Sequence, residues 1–66
     1  MQITLNGEPY DVAEGTTLEG LIATLGLADA ACAAEVNGSV VPKHQHPQSA
    51  LQPGDTVELV TLVGGG

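Results

Sequence analysis

Met1, Ile3 and Leu5 alternate with Gln2, Thr4 and Asn6, the two-residue period of a strand with one buried face. Asn6-Gly7 follows. Both residues tolerate positive φ, so the pair predicts a tight hairpin turn. Tyr10 and Val12 then alternate with Asp11 and Ala13 as a second strand. Pro9 has no amide proton to give a ladder, which places this strand at a sheet edge or puts Pro9 at its opening. The period then lengthens. Leu18, Leu21, Ile22 and Leu25 fall at i, i+3, i+4 and i+7, one apolar stripe of an amphipathic helix. Thr16 and Glu19 have the spacing of a capping box. Gly26 stands where a left-handed residue closes a helix, and Leu27 can fold back onto the last turn. Gly20 inside the helix costs about 1 kcal/mol relative to Ala, so this short helix depends on packing against a sheet.

Residues 28–31 carry no decisive signal: Ala favours helix, but Gly26 has just ended one. Cys32, Ala34 and Val36 alternate with Ala33 and Glu35, then come Asn37-Gly38 and Val40-Val41, a second hairpin that Pro42 ends. Residues 43–52 read as a polar loop, with Ala50 and Leu51 returning to the core. Gln52-Pro53-Gly54-Asp55 has Pro and Gly at the positions a type II turn requires. Residues 56–63 form the longest β-favouring run. Val57, Leu59 and Val63 occupy one face and Val60 and Leu62 the other, which predicts a central strand covered on both sides. The expected class is α+β, a mixed four- to five-stranded sheet packed on one helix. The last strand is expected to run parallel beside the first. Residues 1–63 form the domain and residues 64–66 a glycine tail.

Sixty-six residues allow one domain. Apolar residues make up 42% of the chain, but Tyr10 is the only aromatic, so the core is aliphatic and small. Such a core supplies roughly 3–5 kcal/mol and leaves little room for a pocket of the usual ~300–1,000 Å³. An independent enzyme is therefore disfavoured. Eight acidic residues against one basic residue set the net charge at −7. Nucleic acid needs clustered Lys and Arg, so it is not an expected partner, and an anionic membrane surface is disfavoured too. With no apolar run approaching ~20 residues and no basic, apolar leader at Met1-Gln2-Ile3, the expected location is cytoplasmic.

Several residues invite chemistry. Cys32 reads first as a small apolar side chain facing the core, because free cysteine is commonly buried. His44-x-His46 has no third ligand at useful spacing and reads as part of a solvated loop rather than a metal site. Thr16-Thr17 caps the helix, and Tyr10 packs on a sheet face. The acidic groups are scattered over the surface, or form a negative face that steers a basic partner. The oddest feature is Gly64-Gly65-Gly66. Three glycines add nothing to a core and are costly to order. They read either as a frayed terminus or as a tail thin enough to thread a narrow cleft. In the second case the Gly66 carboxylate, ionised at neutral pH, can attack the α-phosphate of ATP and form an acyl adenylate.

Taken together, Met1-Gln2-Ile3 with Asn6-Gly7, Val36-Asn37-Gly38, Val41-Pro42-Lys43, the Leu51-x-Pro53-Gly54-Asp55 turn, Val57-Glu58-Leu59-Val60 and Val63-Gly64-Gly65-Gly66 resemble the ubiquitin-like sulfur carriers of the ThiS family over the whole chain. The resemblance implies a β-grasp domain that serves as a protein co-substrate in thiamine thiazole biosynthesis rather than as an enzyme. It implies an E1-like partner of the ThiF type that spends ATP to adenylate Gly66. A sulfur donor protein then converts that group to a thiocarboxylate, and a thiazole synthase of the ThiG type takes the sulfur. No cofactor is bound by the carrier itself. Gly64 and Gly65 extend the tail into each partner. Lys43 stands where many members have Arg, whose guanidinium could make a bidentate contact. A molybdopterin-type carrier, a ubiquitin-like modifier and a plain β-grasp interaction module remain as alternatives. The exposed sheet face near the last strand is the expected docking surface, with Leu59, Thr61 and Leu62 as contacts and Glu58 as a flanking charge.

Overall fold

The computed structural model describes residues 1–61. The face assignments of Leu62 and Val63, the boundary after residue 63 and the roles of Gly64, Gly65 and Gly66 lie outside the described residues. Strands β1 (Gln2–Leu5) and β2 (Glu8–Asp11) form the first hairpin, followed by helix α1 (Leu18–Thr24). Strands β3 (Cys32–Val36) and β4 (Ser39–Val40) form the second hairpin. A 3₁₀ helix (Lys43–Gln48) leads to the last strand, β5 (Thr56–Thr61). The sheet has the order β2-β1-β5-β3-β4. β1 and β5 pair in parallel, and the other neighbours are antiparallel. This is the expected mixed sheet, with its last strand central and beside the first. Pro9 sits in β2, an edge strand, where its missing donor faces no partner.

Both hairpin turns take the conformation their residues permit. Asn6 and Gly7 have φ of 50° and 84°, and Asn37 and Gly38 have φ of 53° and 84°, the two successive left-handed residues of a type I′ turn. Ile3, Leu18, Leu21, Ile22, Ala34, Leu51, Val57 and Leu59 make the core between α1 and one sheet face. Tyr10, opposite Ile3, packs partly buried against it, as expected.

The helix begins one residue later than a Thr16 cap requires. The N-cap is Thr17, whose hydroxyl oxygen accepts the Gly20 N–H at 3.1 Å. Thr16 is occupied elsewhere: its hydroxyl donates to the Ala13 carbonyl at 2.7 Å, and its own carbonyl accepts the Leu51 N–H. No capping box closes, because the third helical position is Gly20, which has no side chain to reach back. The C-terminus matches expectation. Gly26 is left-handed at φ 77°; its N–H reaches the Ala23 carbonyl and that of Leu27 the Ile22 carbonyl, the paired bonds of a Schellman closure.

Three further expectations are corrected. The returning strand of the second hairpin is Ser39–Val40, with Val41 continuing only through its N–H to the Ala34 carbonyl. Residues 43–52 are not a solvated loop: Lys43–Gln48 is helical and His46 is 6% exposed. β5 is covered on one face only. Val57 and Leu59 are buried, but Val60 is 58% exposed, since a single helix covers a single side.

Candidate functional site

The strand that leads to the glycines is hydrogen-bonded along both edges. On one side Asn6 donates its N–H to the Val57 carbonyl at 2.9 Å, and its carboxamide oxygen accepts the Leu59 N–H at 2.8 Å. A turn side chain thus extends the β1–β5 ladder beyond its last paired residues, Leu5 and Val57. On the other side Asn37 donates to the Thr56 carbonyl at 2.7 Å and accepts the Thr56 N–H at 2.9 Å. Its carboxamide nitrogen also donates to Asp55 at 3.0 Å, while the second Asp55 oxygen accepts the Gln52 N–H at 2.8 Å. The two Asn-Gly turns therefore do more than reverse the chain: each anchors the central strand.

Strict alternation along β5 decides what it offers a partner. Glu58 and Val60 lie on the open face and are exposed; Val57 and Leu59 lie on the helix face and are buried. Leu59 is therefore no docking contact: its side chain belongs to the core, and a strand cannot present residues 58 and 59 on one face. Thr61 has the same parity as Leu59, is half-buried and pairs with the core-packed Cys32, so it too lies on the helix face rather than the docking face. Leu62 lies outside the described residues. Across from β5, Glu35 stands opposite Glu58 and Ala33 opposite Val60, and Val40 lies on the far side of Glu35. The docking expectation omits Val60, Val40 and Glu35. The period-two pattern already groups Val60 with Glu58, but only the register brings Glu35 and Val40 to them.

The opposite layer holds a cleft of about 370 Å³ between α1, residues 28–30 and the 3₁₀ helix. It is a groove open to solvent rather than an enclosed pocket, left where the helices do not close over the Ala-rich segment. Cys32, Lys43 and His46 meet in its lining. Cys32 is half-buried and packs against the core, close to its expected place. His46 Nε2 lies 3.0 Å from the Val41 carbonyl oxygen; a carbonyl can only accept, so Nε2 carries the proton. His46 is thus a structural residue that ties the 3₁₀ helix to Val41, just beyond β4. His44 is exposed. Among the described residues no three His, Cys, Asp or Glu side chains gather as metal ligands, and no helix is long and apolar enough to cross a membrane.

Comparison with known proteins agrees with this geometry. The sequence pattern of the ThiS family matches residues 3–66. The chain is 33% identical to the sulfur carrier protein ThiS of Escherichia coli strain K12, over the full length of both. It is 46% identical to a thiazole synthase of Magnetococcus marinus, aligning over all of this chain but only 20% of that protein. A second thiazole synthase, from Paramagnetospirillum magneticum, is 36% identical with the same coverage. The chain thus spans about a fifth of the length of these two relatives. The crystal structure of the thiamine biosynthesis protein ThiS from Geobacter metallireducens superimposes with a TM-score of 0.84 at 33% identity, with both chains fully covered. The fold is accordingly the ubiquitin-like β-grasp.

Proposed function

The chain belongs to the ThiS family of sulfur carriers, and on that premise we propose that Gly66 is the group that carries the sulfur. A carboxylate oxygen of Gly66 attacks the α-phosphorus of ATP in the active site of an E1-like, ThiF-type enzyme, and pyrophosphate leaves. Sulfur at the sulfide level, released by a donor protein, then attacks the acyl carbon, and AMP leaves with one of the original Gly66 carboxylate oxygens, so that a carboxylate oxygen has been exchanged for sulfur and a thiocarboxylate remains. A ThiG-type thiazole synthase takes that sulfur. The chain is a co-substrate in each step; ATP binds the partner. Gly64 and Gly65 thread the partner's cleft, because a side chain there would widen the tail. The open sheet face around Glu58 receives the body of the partner.

The observation that carries this reading is the match, from the first residue to the last, to the Escherichia coli sulfur carrier. The thiazole synthases that contain a segment like this chain support a thiazole synthase as its partner, since a fused segment and a separate protein can serve the same neighbour. The test is ATP–pyrophosphate exchange with the adenylating enzyme of the same host, using the wild-type chain, a Gly66 deletion and a chain with one added alanine. Deletion draws the carboxylate back by ~3.3–3.6 Å, where a misplacement of ~1 Å can already cost ~100-fold. Exchange should collapse in both variants while their thermal melts match wild type. Wild-type exchange by the deletion would remove Gly66 from this role.

A further inference from the structure

The open sheet face carries an arrangement that costs stability and has no local compensation. Glu35 and Glu58 stand directly opposite each other in the β3–β5 ladder, both exposed. Like charges so placed oppose strand pairing. Val40 flanks Glu35 at 71% exposure; Val60, at 58%, follows Glu58 on the same face beside Ala33. Among the described residues these two are the exposed large hydrophobics, and they bracket the carboxylate pair. The chain's single Lys or Arg, Lys43, lines the cleft on the other layer. With that residue in the other layer, the chain has no other Lys or Arg to offer this face.

We propose that Val40, Glu35, Glu58, Ala33 and Val60 form the docking surface for a partner face that is apolar at its centre and sets one arginine between the two carboxylates. Two observations choose this occupant. The first is charge complementarity: a guanidinium offers five N–H donors in a planar fork and can serve two carboxylates together, where an ammonium acts as a point charge. The second is where the chain continues. Val60 directly precedes Thr61, and the five residues beyond it reach at most ~16–18 Å. A partner that draws in those residues must sit within that distance of the end of β5, where Val60 opens onto this patch. Docking offsets one of the two negative charges, bridges the carboxylates that otherwise repel, and covers the valines in one event. The inference rests on the sulfur-carrier reading for the partner's identity and adds the chemistry of its surface.

The experiment uses the full chain as wild type, Glu35→Gln, Glu58→Gln, the double variant and, off this face, Glu14→Gln. Thermal melts and binding to the host's adenylating enzyme are measured for each. Either single substitution on the face should raise Tm by about 1–4 °C, because it removes the cross-strand repulsion. The double variant should gain little more, since the repulsion is already gone. Each single substitution should raise Kd about tenfold or more, as expected when a charged hydrogen-bond partner is lost. Glu14→Gln should change neither quantity. Because the face variants are expected to be more stable than wild type, weaker binding cannot be blamed on unfolding. Wild-type Kd in both single variants overturns this inference alone. If the wild-type chain itself binds no adenylating enzyme, the sulfur-carrier reading fails and takes the inference with it.

Discussion

Leu21 has no exposed surface and lies at the centre of the core under the sheet. Truncation to Ala should cost about 2–5 kcal/mol, comparable to the whole stability of so small a domain. Leu21→Ala is therefore expected to be largely unfolded at room temperature by circular dichroism. A cooperative melt near that of wild type would show that the wrong helix face is taken as buried. The two adjacent threonines should separate under the same treatment. Thr17→Ala removes the hydroxyl that accepts the Gly20 N–H and should cost about 1 kcal/mol. Thr16→Ala removes an exposed bond to the Ala13 carbonyl and should stay within about 0.5 kcal/mol. Urea midpoints that ranked them the other way would return the cap to Thr16.

Among the elements, β5 depends most on its neighbours. Its N–H at Leu59 is satisfied by the Asn6 side chain rather than by a strand. Asn6→Gly keeps the left-handed turn but deletes that acceptor. It should cost about 1 kcal/mol and accelerate amide exchange at Leu59 more than at Val57. Asn37→Gly should do the same at Thr56, whose N–H Asn37 accepts. If Leu59 exchange were unchanged in Asn6→Gly, the carboxamide contact would not be what holds that end of the strand. These bonds explain why an Asn-Gly pair, rather than Gly-Gly, suits both turns here: the backbone needs positive φ, and the ladder needs the carboxamide.

For the molecule as a whole, a net charge of −7 on 66 residues sets up a negative field that reaches well beyond contact. The Debye length falls from ~30 Å at 0.01 M salt to ~8 Å at physiological strength. Association with a basic partner face should slow by about tenfold or more across that range, as read by stopped-flow mixing with the adenylating enzyme. Reversing Glu58 to Lys should slow it at low salt and flatten the dependence. A rate indifferent to salt, in wild type and variant alike, would mean that steering plays no part in finding the partner.

Local signals in the sequence determined the order of elements, both Asn-Gly turns, the apolar stripe of the helix and its closure at Gly26. Each depends on φ preference or periodicity within a few residues, which the chain carries whatever it later packs against. The parallel pairing of β1 and β5 was also legible, because a last strand so apolar has to be central. The glycine tail at 64–66 was singled out by composition alone. Tertiary structure decided the rest. Whether both faces of β5 are covered depends on how many layers the molecule builds, and one helix makes only two; Val60 is open for that reason. Leu59 and Glu58 are neighbours in sequence, but alternation puts them on opposite faces, and only the packed core shows which of the two is outside. His46 is buried because the carbonyl of Val41 meets its ring once the 3₁₀ helix has formed, a contact that no ligand spacing announces. The helix cap moved to Thr17 because Leu51, distant in the chain, had taken the carbonyl of Thr16. Glu35 meets Glu58 only through the register of two strands separated by the second turn and the 3₁₀ helix. Such pairings follow from long-range hydrogen bonding, and no window of sequence short enough to read as a pattern contains both partners.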